Sequence, residues 1–295
     1  MLPQPLAEIA AGGGRPAADL MEACWRQLVL GAVQGLTEFL PISSTAHLKV
    51  VPVWLGWGDP GVSATAVIQL GSIAAVVAYF RSDLRGVIRG VSRAIRQGRW
   101  SDPEARLGFA VALGTLPIVI AGMAIKLFWP GYDTSPLRSL TSIAIVSMVM
   151  ALLLALAEWL GPRVRKLSQV SGGDGLVVGL AQALAIIPGV SRSGSTLTAS
   201  LLAGWTRSDA ARFSFLLGIP AITLAGLVEL RELIASPSGD GMLPMLVGVL
   251  SAAVVSWIAI DWLLRYLQRH STWVFVIYRL LFGIVVLAAA ARAPR

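Results

Sequence analysis

A single cysteine, Cys24, stands in 295 residues. An internal disulfide is therefore excluded, and so is a metal site built from several thiolates. Charge is scarce as well. Asp, Glu, Lys and Arg make up 14% of the chain, against roughly 25% in soluble domains. With 56% hydrophobic residues and a mean hydropathy of +0.73, this deficit excludes an ordinary soluble domain. It fits a polytopic chain of apolar helices, several near ~20 residues long. Acids are the scarcer sign, 16 against 24 Lys and Arg. The basic surplus lies mostly in short segments between apolar runs. That is the positive-inside pattern with anionic lipid, not a nucleic-acid footprint. The N-terminus, MLPQPLAEIAAGGGRPAADL, lacks a basic start followed by an apolar core. It does not read as a cleaved signal peptide, and residues 1–20 read as a poorly ordered lead-in.

Two apolar stretches are interrupted by polar residues. Residues 31–49 read GAVQGLTEFLPISSTAHLK. Pro41 breaks the run, Glu38 precedes the break, and Ser43, Ser44, Thr45 and His47 follow it. Residues 179–196 read GLAQALAIIPGVSRSGST, with Pro188-Gly189 as the breaker and Ser191, Arg192, Ser193, Ser195 and Thr196 after it. Polar groups at membrane depth are expensive and mark functional sites. The limbs flanking Pro41, residues 25–40 and 46–57, reach about 18–24 Å at ~1.5 Å per residue, short of a ~30 Å core. Each break is therefore expected to form a re-entrant hairpin.

Full spans are expected at 62–80, 107–128, 139–160, 210–230, 242–264 and 272–290. Between the first two lie Arg81, Arg85, Arg89, Arg93, Arg96, Arg99 and Arg106, with few acids. This reads as a cytoplasmic segment on acidic lipid, and the early i, i+4 arginines also suit a surface amphipathic helix. Loop charge puts 81–106, 163–166 and 265–269 in the cytoplasm and 130–136 and 236–241 outside. Six spans satisfy this only if neither broken segment crosses. The first hairpin then enters from outside and the second from the cytoplasm. Gly71 follows Pro41, and Gly218 follows Pro188, by 30 positions, and both hairpins begin G-x-x-Q (Gly31/Gln34, Gly179/Gln182). The expectation is an all-α polytopic membrane protein with one integral membrane domain. It is an inverted repeat, residues 21–160 and 161–295, with six transmembrane helices plus two re-entrant helix hairpins.

Other polar residues have plainer readings. Glu158, Glu229 and Lys126 lie near span ends and are expected to reach headgroups. Asp261 and Arg265 are an i, i+4 pair. Lys49 is placed to face a wet cavity. Arg279 lies well inside the last span and requires a buried partner. Trp25, Trp54, Trp57, Trp129, Trp159 and Trp273 cluster near the expected interfaces.

The second limb of a broken helix begins with free N–H groups and a partial positive charge, which suits an anion. In 191–196, Ser191, Ser193, Ser195 and Thr196 add donors, and Gly194 permits close backbone approach. Arg192 presents a fork matched to phosphate oxygens. In the first break, Ser44 and His47 share a face if the limb is helical from Ser43 onward, and His47 then activates Ser44 as nucleophile. Glu38 serves as cation ligand, base or orienter. Three plainer readings stay open: Ser43, Ser44 and Thr45 as caps, His47 as a packing residue, and Glu38 as the partner of Arg192. Together the two breaks read as one site for phosphoryl transfer on an anionic substrate that sits in the membrane. Inverted repeats with broken helices also build transporters, so a lipid-phosphate flippase or secondary anion transporter is the alternative.

These residues resemble the signatures of the bacterial undecaprenyl-diphosphate phosphatase family, the bacitracin-resistance (BacA/UppP) type. The first signature, (E/Q)xxxE leading into FLPxSS and a histidine, stands here as Gln34-Gly-Leu-Thr-Glu38 and FLPISSTAH. The second, PGxSRSxxT, stands as Pro188 to Thr196. The similarity covers nearly the whole chain from about Trp25. The resemblance implies a multi-pass protein of the bacterial cytoplasmic membrane. It implies hydrolysis of the C55 isoprenyl diphosphate to undecaprenyl phosphate and inorganic phosphate, recycling the carrier for peptidoglycan synthesis and conferring bacitracin resistance. It further implies a divalent cation, Mg²⁺ or Ca²⁺, and a homodimer. The family's essential positions fall on Glu38, Ser44, Thr45, His47, Ser191 and Arg192, and the rest of the second signature, through Ser193, Gly194 and Thr196, joins Ser43 in holding the diphosphate. Some members carry glutamate where this chain has Gln34. Here Glu38 is the main metal carboxylate, with Gln34 at most a carbonyl ligand or hydrogen-bond partner. Two mechanisms follow: attack by Ser44 helped by His47, or direct attack by metal-bound water.

Overall fold

Backbone in hydrocarbon has no water to bond, so an apolar run must satisfy its own N–H and C=O groups as helix. In the computed structural model, which describes residues 15–58, 61–235 and 241–292, the runs do so. Among the described residues the chain is all-helical. Its helices are α1 (Arg15–Phe39), α2 (Ser44–Trp54), α3 (Gly61–Tyr79), α4 (Arg81–Gln97), α5 (Pro103–Phe128), α6 (Leu140–Leu160), α7 (Gly172–Ala183), α8 (Arg192–Leu202), α9 (Arg207–Ala235), α10 (Met242–Arg269) and α11 (Trp273–Arg292). Five are long and apolar enough to cross a membrane: α5, α6, Arg207–Val228 within α9, α10 and α11. A sixth span is reached by counting α3 with α4, which follows it at a 68° bend. Five of the six expected spans thus appear within a few residues of their places; the sixth, 62–80, falls on α3, which counts as a span only together with α4.

The N-terminal expectation is corrected. Helix α1 begins at Arg15, not near Trp25, so residues 15–20 are helical; residues 1–14 of the expected lead-in lie outside the described residues. The 25 residues of α1 reach about 37 Å at ~1.5 Å each, so shortness of the first limb is not what turns the chain back. The turn is made at residues 40–43, between Phe39 and the start of α2. Of the expected external loop at 236–241, residues 236–240 likewise lie outside the described residues, as do Arg295 and the side chain of Glu229.

The two broken segments are built alike. Ser43 (φ 74, ψ 100) and Ser191 (φ 69, ψ 115) each cap an 11-residue helix with the side-chain oxygen, accepting from Ala46 N and Gly194 N. Both serines sit at positive φ, which costs a non-glycine residue of order 1–3 kcal/mol and concentrates at functional sites. The first limb of each hairpin lies against a long helix through a matched glycine. A Cβ on Gly31 would stand 2.3 Å from the Gly248 carbonyl of α10, and one on Gly179 would stand 2.3 Å from the Gly114 carbonyl of α5. Only glycine allows backbones this close.

Two buried charges fasten the helices. Glu158 was expected at the headgroups, yet it is 3% exposed. It accepts from Arg163 (2.8 Å), from Arg207 Nε (2.9 Å) and from the hydroxyl of Thr272 (2.8 Å), joining the ends of α6, α9 and α11. A carboxylate with this many donors has no need of the interface. Arg279 is fully buried, and its partners are mostly main chain: Pro41 O (3.2 Å), Gly189 O (2.7 Å), Val190 O (3.1 Å) and both oxygens of Ser147 (3.2 Å). It therefore holds both hairpin tips from α11. Lys49 donates to the Arg138 carbonyl (2.7 Å), and Asp261 and Arg265 pair as expected (3.0 Å). Trp25, Trp54, Trp129, Trp159 and Trp273 are exposed.

Candidate active site

The hairpin tips meet. Arg192 Nη2 donates to Glu38 Oε1 at 3.1 Å, and Ser193 Oγ donates to the Leu40 carbonyl at 2.9 Å. These contacts cross about half the chain. Arg192 and Glu38 are only 10% and 9% exposed, and they neutralise one another. Ser44, the first residue of α2, donates to Glu38 Oε2 at 2.7 Å. Gln34, one turn back on α1, donates its amide to the same oxygen at 3.2 Å. A carboxylate only accepts, so Gln34 must present N–H there. The second donor of the guanidinium, Arg192 Nη1, is buried without a hydrogen-bond partner. It fills the space beside Gly218, where a Cβ would stand 1.3 Å from it.

These groups open into a cavity of about 320 Å³. Its polar wall includes Glu38, Ser43, Ser44, Thr45, Ser191 and Arg192; its apolar wall includes Ile118, Ile186, Ala221 and Ile222. The N-termini of α2 and α8 both supply lining residues, so two positive helix ends converge on one pocket. One cation, two helix ends and an apolar flank suit a phosphate group attached to a hydrocarbon chain.

Not every expected residue faces the cavity. His47 Nδ1 donates to the Ser43 carbonyl (2.7 Å), and Tyr278 O–H donates to Nε2 (2.7 Å). The ring is buried, stacked at 4.4 Å on Phe282, and borders a separate apolar groove with Leu36, Val51 and Trp262. The expected Ser44–His47 pair is not formed: Ser44 heads the helix and points to α1, while His47 is tied to the Ser43 carbonyl and to Tyr278 of α11. Ser193 is spent on Leu40, and Thr196 donates to the Arg192 carbonyl (2.8 Å) and pairs with Ser214. With Gly194, they brace the tip behind the cavity wall. Ser195 also donates to the Arg192 carbonyl, at 3.0 Å. Gln69 of α3 does line the cavity and was not anticipated. Its signal was a lone amide inside an apolar span, two residues before Gly71. Tyr278 and the tip-holding role of Arg279 carried no local signal.

A divalent cation has a limited donor set here. No group of three or more His, Cys, Asp or Glu side chains converges among the described residues. Among the described residues, Glu38 is the one carboxylate lining the cavity. That is too little for a protein-made cage, but it fits Mg²⁺, which is commonly held by one or two carboxylates, water and substrate phosphates.

Residues 27–285 match the family described as Bacitracin resistance protein BacA. The chain is 73% identical over 269 residues to the undecaprenyl-diphosphatase of Synechococcus sp. (strain WH7803), covering 91% of this chain and 94% of that one. It is 74% identical over 275 residues to that of Synechococcus sp. (strain RCC307), covering 93% and 96%. It is 72% identical over 271 residues to that of Prochlorococcus marinus (strain MIT 9303), covering 92% of each.

Proposed function

The chain belongs to the BacA bacitracin-resistance family, and from that premise we propose how its cavity carries out the undecaprenyl-diphosphatase activity for which its relatives are named. It is a multi-pass membrane enzyme that hydrolyses undecaprenyl diphosphate and confers bacitracin resistance. The observation that carries the mechanism is the 2.7 Å hydrogen bond from Ser44 to Glu38.

The diphosphate lies between the two helix N-termini with the prenyl chain along the apolar wall. Arg192 turns its free Nη1 and part of its Glu38 contact to the phosphate oxygens, exchanging one anion for another. Ser191 and Thr45 line the same wall and add hydroxyl donors. Glu38, released from the arginine, accepts the Ser44 proton as Oγ attacks the terminal phosphorus. The bond to the bridging oxygen breaks, and the prenyl monophosphate leaves. Glu38 passes the serine proton to the departing monophosphate, then takes a proton from the water that attacks the phosphoserine. The Oγ–P bond breaks, inorganic phosphate is freed, and Glu38 returns its proton to Ser44 Oγ. His47 positions: through the Ser43 carbonyl it fixes the capping serine and so the start of α2. Glu38 would also be the residue to hold a divalent cation together with the substrate's phosphates, and such a cation would supply charge neutralisation there.

The finer architecture belongs to the same proposal: an inverted repeat whose two hairpins re-enter without crossing. Its support is the matching serine caps, the matching glycine contacts and the directions of the helices. Gly31 and Gly35 meet Gly248 and Ala252 in that order, so α1 runs alongside α10; Gly175 and Gly179 meet Ala110 and Gly114, so α7 runs alongside α5. Helix α10 ends at the basic Arg265 and Arg269, and α5 begins after the basic α4. By loop charge the two hairpins then enter from opposite sides.

The test is phosphate release from C55 diphosphate by purified protein, with and without EDTA, beside Ser44→Ala and Arg192→Ala. Cation-dependent release lost in both variants is expected, with phosphate trapped on Ser44 in acid-quenched wild type. Full turnover by Ser44→Ala would remove the serine as nucleophile. The implied homodimer is tested by the mass of the same sample in detergent.

A further inference from the structure

Helix α4 has a role that the hydrolytic site does not use. It leaves the end of α3 at 68° and continues for 17 residues. One face is packed: Gly90 and Ala94 are buried, a Cβ on Gly90 would stand 2.5 Å from Glu104, and Val87 and Val91 close over Gly108 of α5. The opposite face is open. It carries Arg81, Arg85, Arg89 and Arg96, all exposed, and beside them Ile88 and Ile95, 67% and 69% exposed. At about 100° per residue these six positions fill an arc of roughly 120°.

The charges on this face are not balanced from within. The helix has one acid, Asp83, and it pairs with Arg212 of α9 at 2.5 Å. Arg93 is matched by Asp102 and Glu104 at 3.6 and 3.5 Å. Among the described residues, Arg81, Arg85, Arg89, Arg96 and Arg99 have no acidic partner. Arg85 and Arg89 instead fold along the helix, donating to the carbonyls four residues back. In water, two large isoleucines would stand exposed on this face. In hydrocarbon, the arginines would be stranded. A helix lying in the membrane interface satisfies both, with the apolar residues under the headgroups and the cations at the phosphates.

We propose that α4 is an interfacial helix that binds anionic phospholipid in the leaflet it lies on. The guanidinium groups of Arg85, Arg89 and Arg96 contact lipid phosphate, and Ile88 and Ile95 insert beside them. Arg81 and Arg99 flank this patch, and Trp100, 51% exposed, stands at its end. The occupant is lipid and not free phosphate, because the isoleucines offer nothing to an inorganic anion.

The test uses the full-length protein in detergent, equilibrated with equimolar phosphatidylglycerol and phosphatidylcholine, with retained lipid counted by native mass spectrometry. Wild type is expected to keep phosphatidylglycerol preferentially. R85Q/R89Q/R96Q should lower that retention about tenfold or more and leave phosphatidylcholine retention and phosphate release unchanged. Inorganic phosphate at the lipid's concentration should not displace it. Equal retention of the two lipids by wild type, an unaltered preference in the triple variant, or displacement by inorganic phosphate would overturn the proposal. If the triple variant fails to fold, a fluorophore at I88C or I95C in a C24S background is read in vesicles. Stronger quenching by brominated phosphatidylglycerol than by brominated phosphatidylcholine is expected; equal quenching, or none, overturns it.

Discussion

Ser44 and Arg192 both lean on one carboxylate. Glu38→Gln keeps the shape but cannot take a proton, and its amide would offer N–H toward a guanidinium that only donates. Phosphate release at saturating substrate should fall about 10²–10⁴-fold, with the protein still folded by circular dichroism. Undiminished turnover would remove Glu38 as base. Gly218 is a second, less visible dependence. The Arg192 guanidinium occupies the place of its missing side chain, so Gly218→Ala should push the arginine out of line and raise KM at least tenfold. Arg192→Lys should not restore binding in that background, because an ammonium lacks the planar fork. A KM equal to wild type in Gly218→Ala would mean that Arg192 has other room.

Each hairpin is only as well placed as the start of its first limb. Helix α7 begins with Ser171 and Asp174 bonded to one another's backbone N–H groups, a capping box. Arg165 grips the same carboxylate with two bonds, 2.7 and 2.8 Å. Burial by itself would raise the Asp174 carboxyl, but the bonds from Arg165 and Ser171 outweigh it and hold the group below its ordinary value. A depressed carboxyl adds stability above its unfolded pKa of about 3.9 and loses it as pH falls through the folded value. Melting temperature in detergent should therefore drop below about pH 4, and Asp174→Asn should be less stable at neutral pH with a shallower acid limb. Parallel pH profiles for the two proteins would show that the carboxylate does not contribute.

At the scale of the whole molecule, one side chain of the last helix holds the site together. Arg279 donates to main-chain carbonyls of both tips, Pro41 on one and Gly189 and Val190 on the other. No other described side chain bonds both. Arg279→Met fills similar volume but strands these carbonyls, each costing about 1–3 kcal/mol when buried without a donor. Lower melting temperature and at least tenfold slower phosphate release are expected, although Arg279 does not line the cavity. Wild-type values for both would mean that the tips are held by Ser193 and the Glu38–Arg192 pair alone.

Composition and pattern were sufficient for the class of protein and for the location of its site. Scarce charge and long apolar runs leave helices as the only stable backbone state in lipid. A proline followed by hydroxyls inside such a run marks a break whose polar groups need a reason to be there. The same logic required a partner for Arg192 and one for Arg279 before either was seen. Glu38 stood as an open reading for the partner of Arg192, and the structure bears it out; the partners of Arg279 were decided only in three dimensions. Glu38 and Arg192 are 154 residues apart, and Arg279 and Pro41 are 238 apart, and no local spacing encodes such pairs. Spacing also misled where it was local. Ser44 and His47 stand three apart, but Ser43 enters the helix at positive φ and leaves Ser44 at the open end, aimed at α1. His47, one turn in, is captured by the Ser43 carbonyl and Tyr278. Glu158 does lie at a span end, but Arg207 and Thr272 close over it and keep it from the headgroups. Periodicity reports which face of a helix a residue occupies; which neighbour that face meets is set by packing between helices distant in sequence.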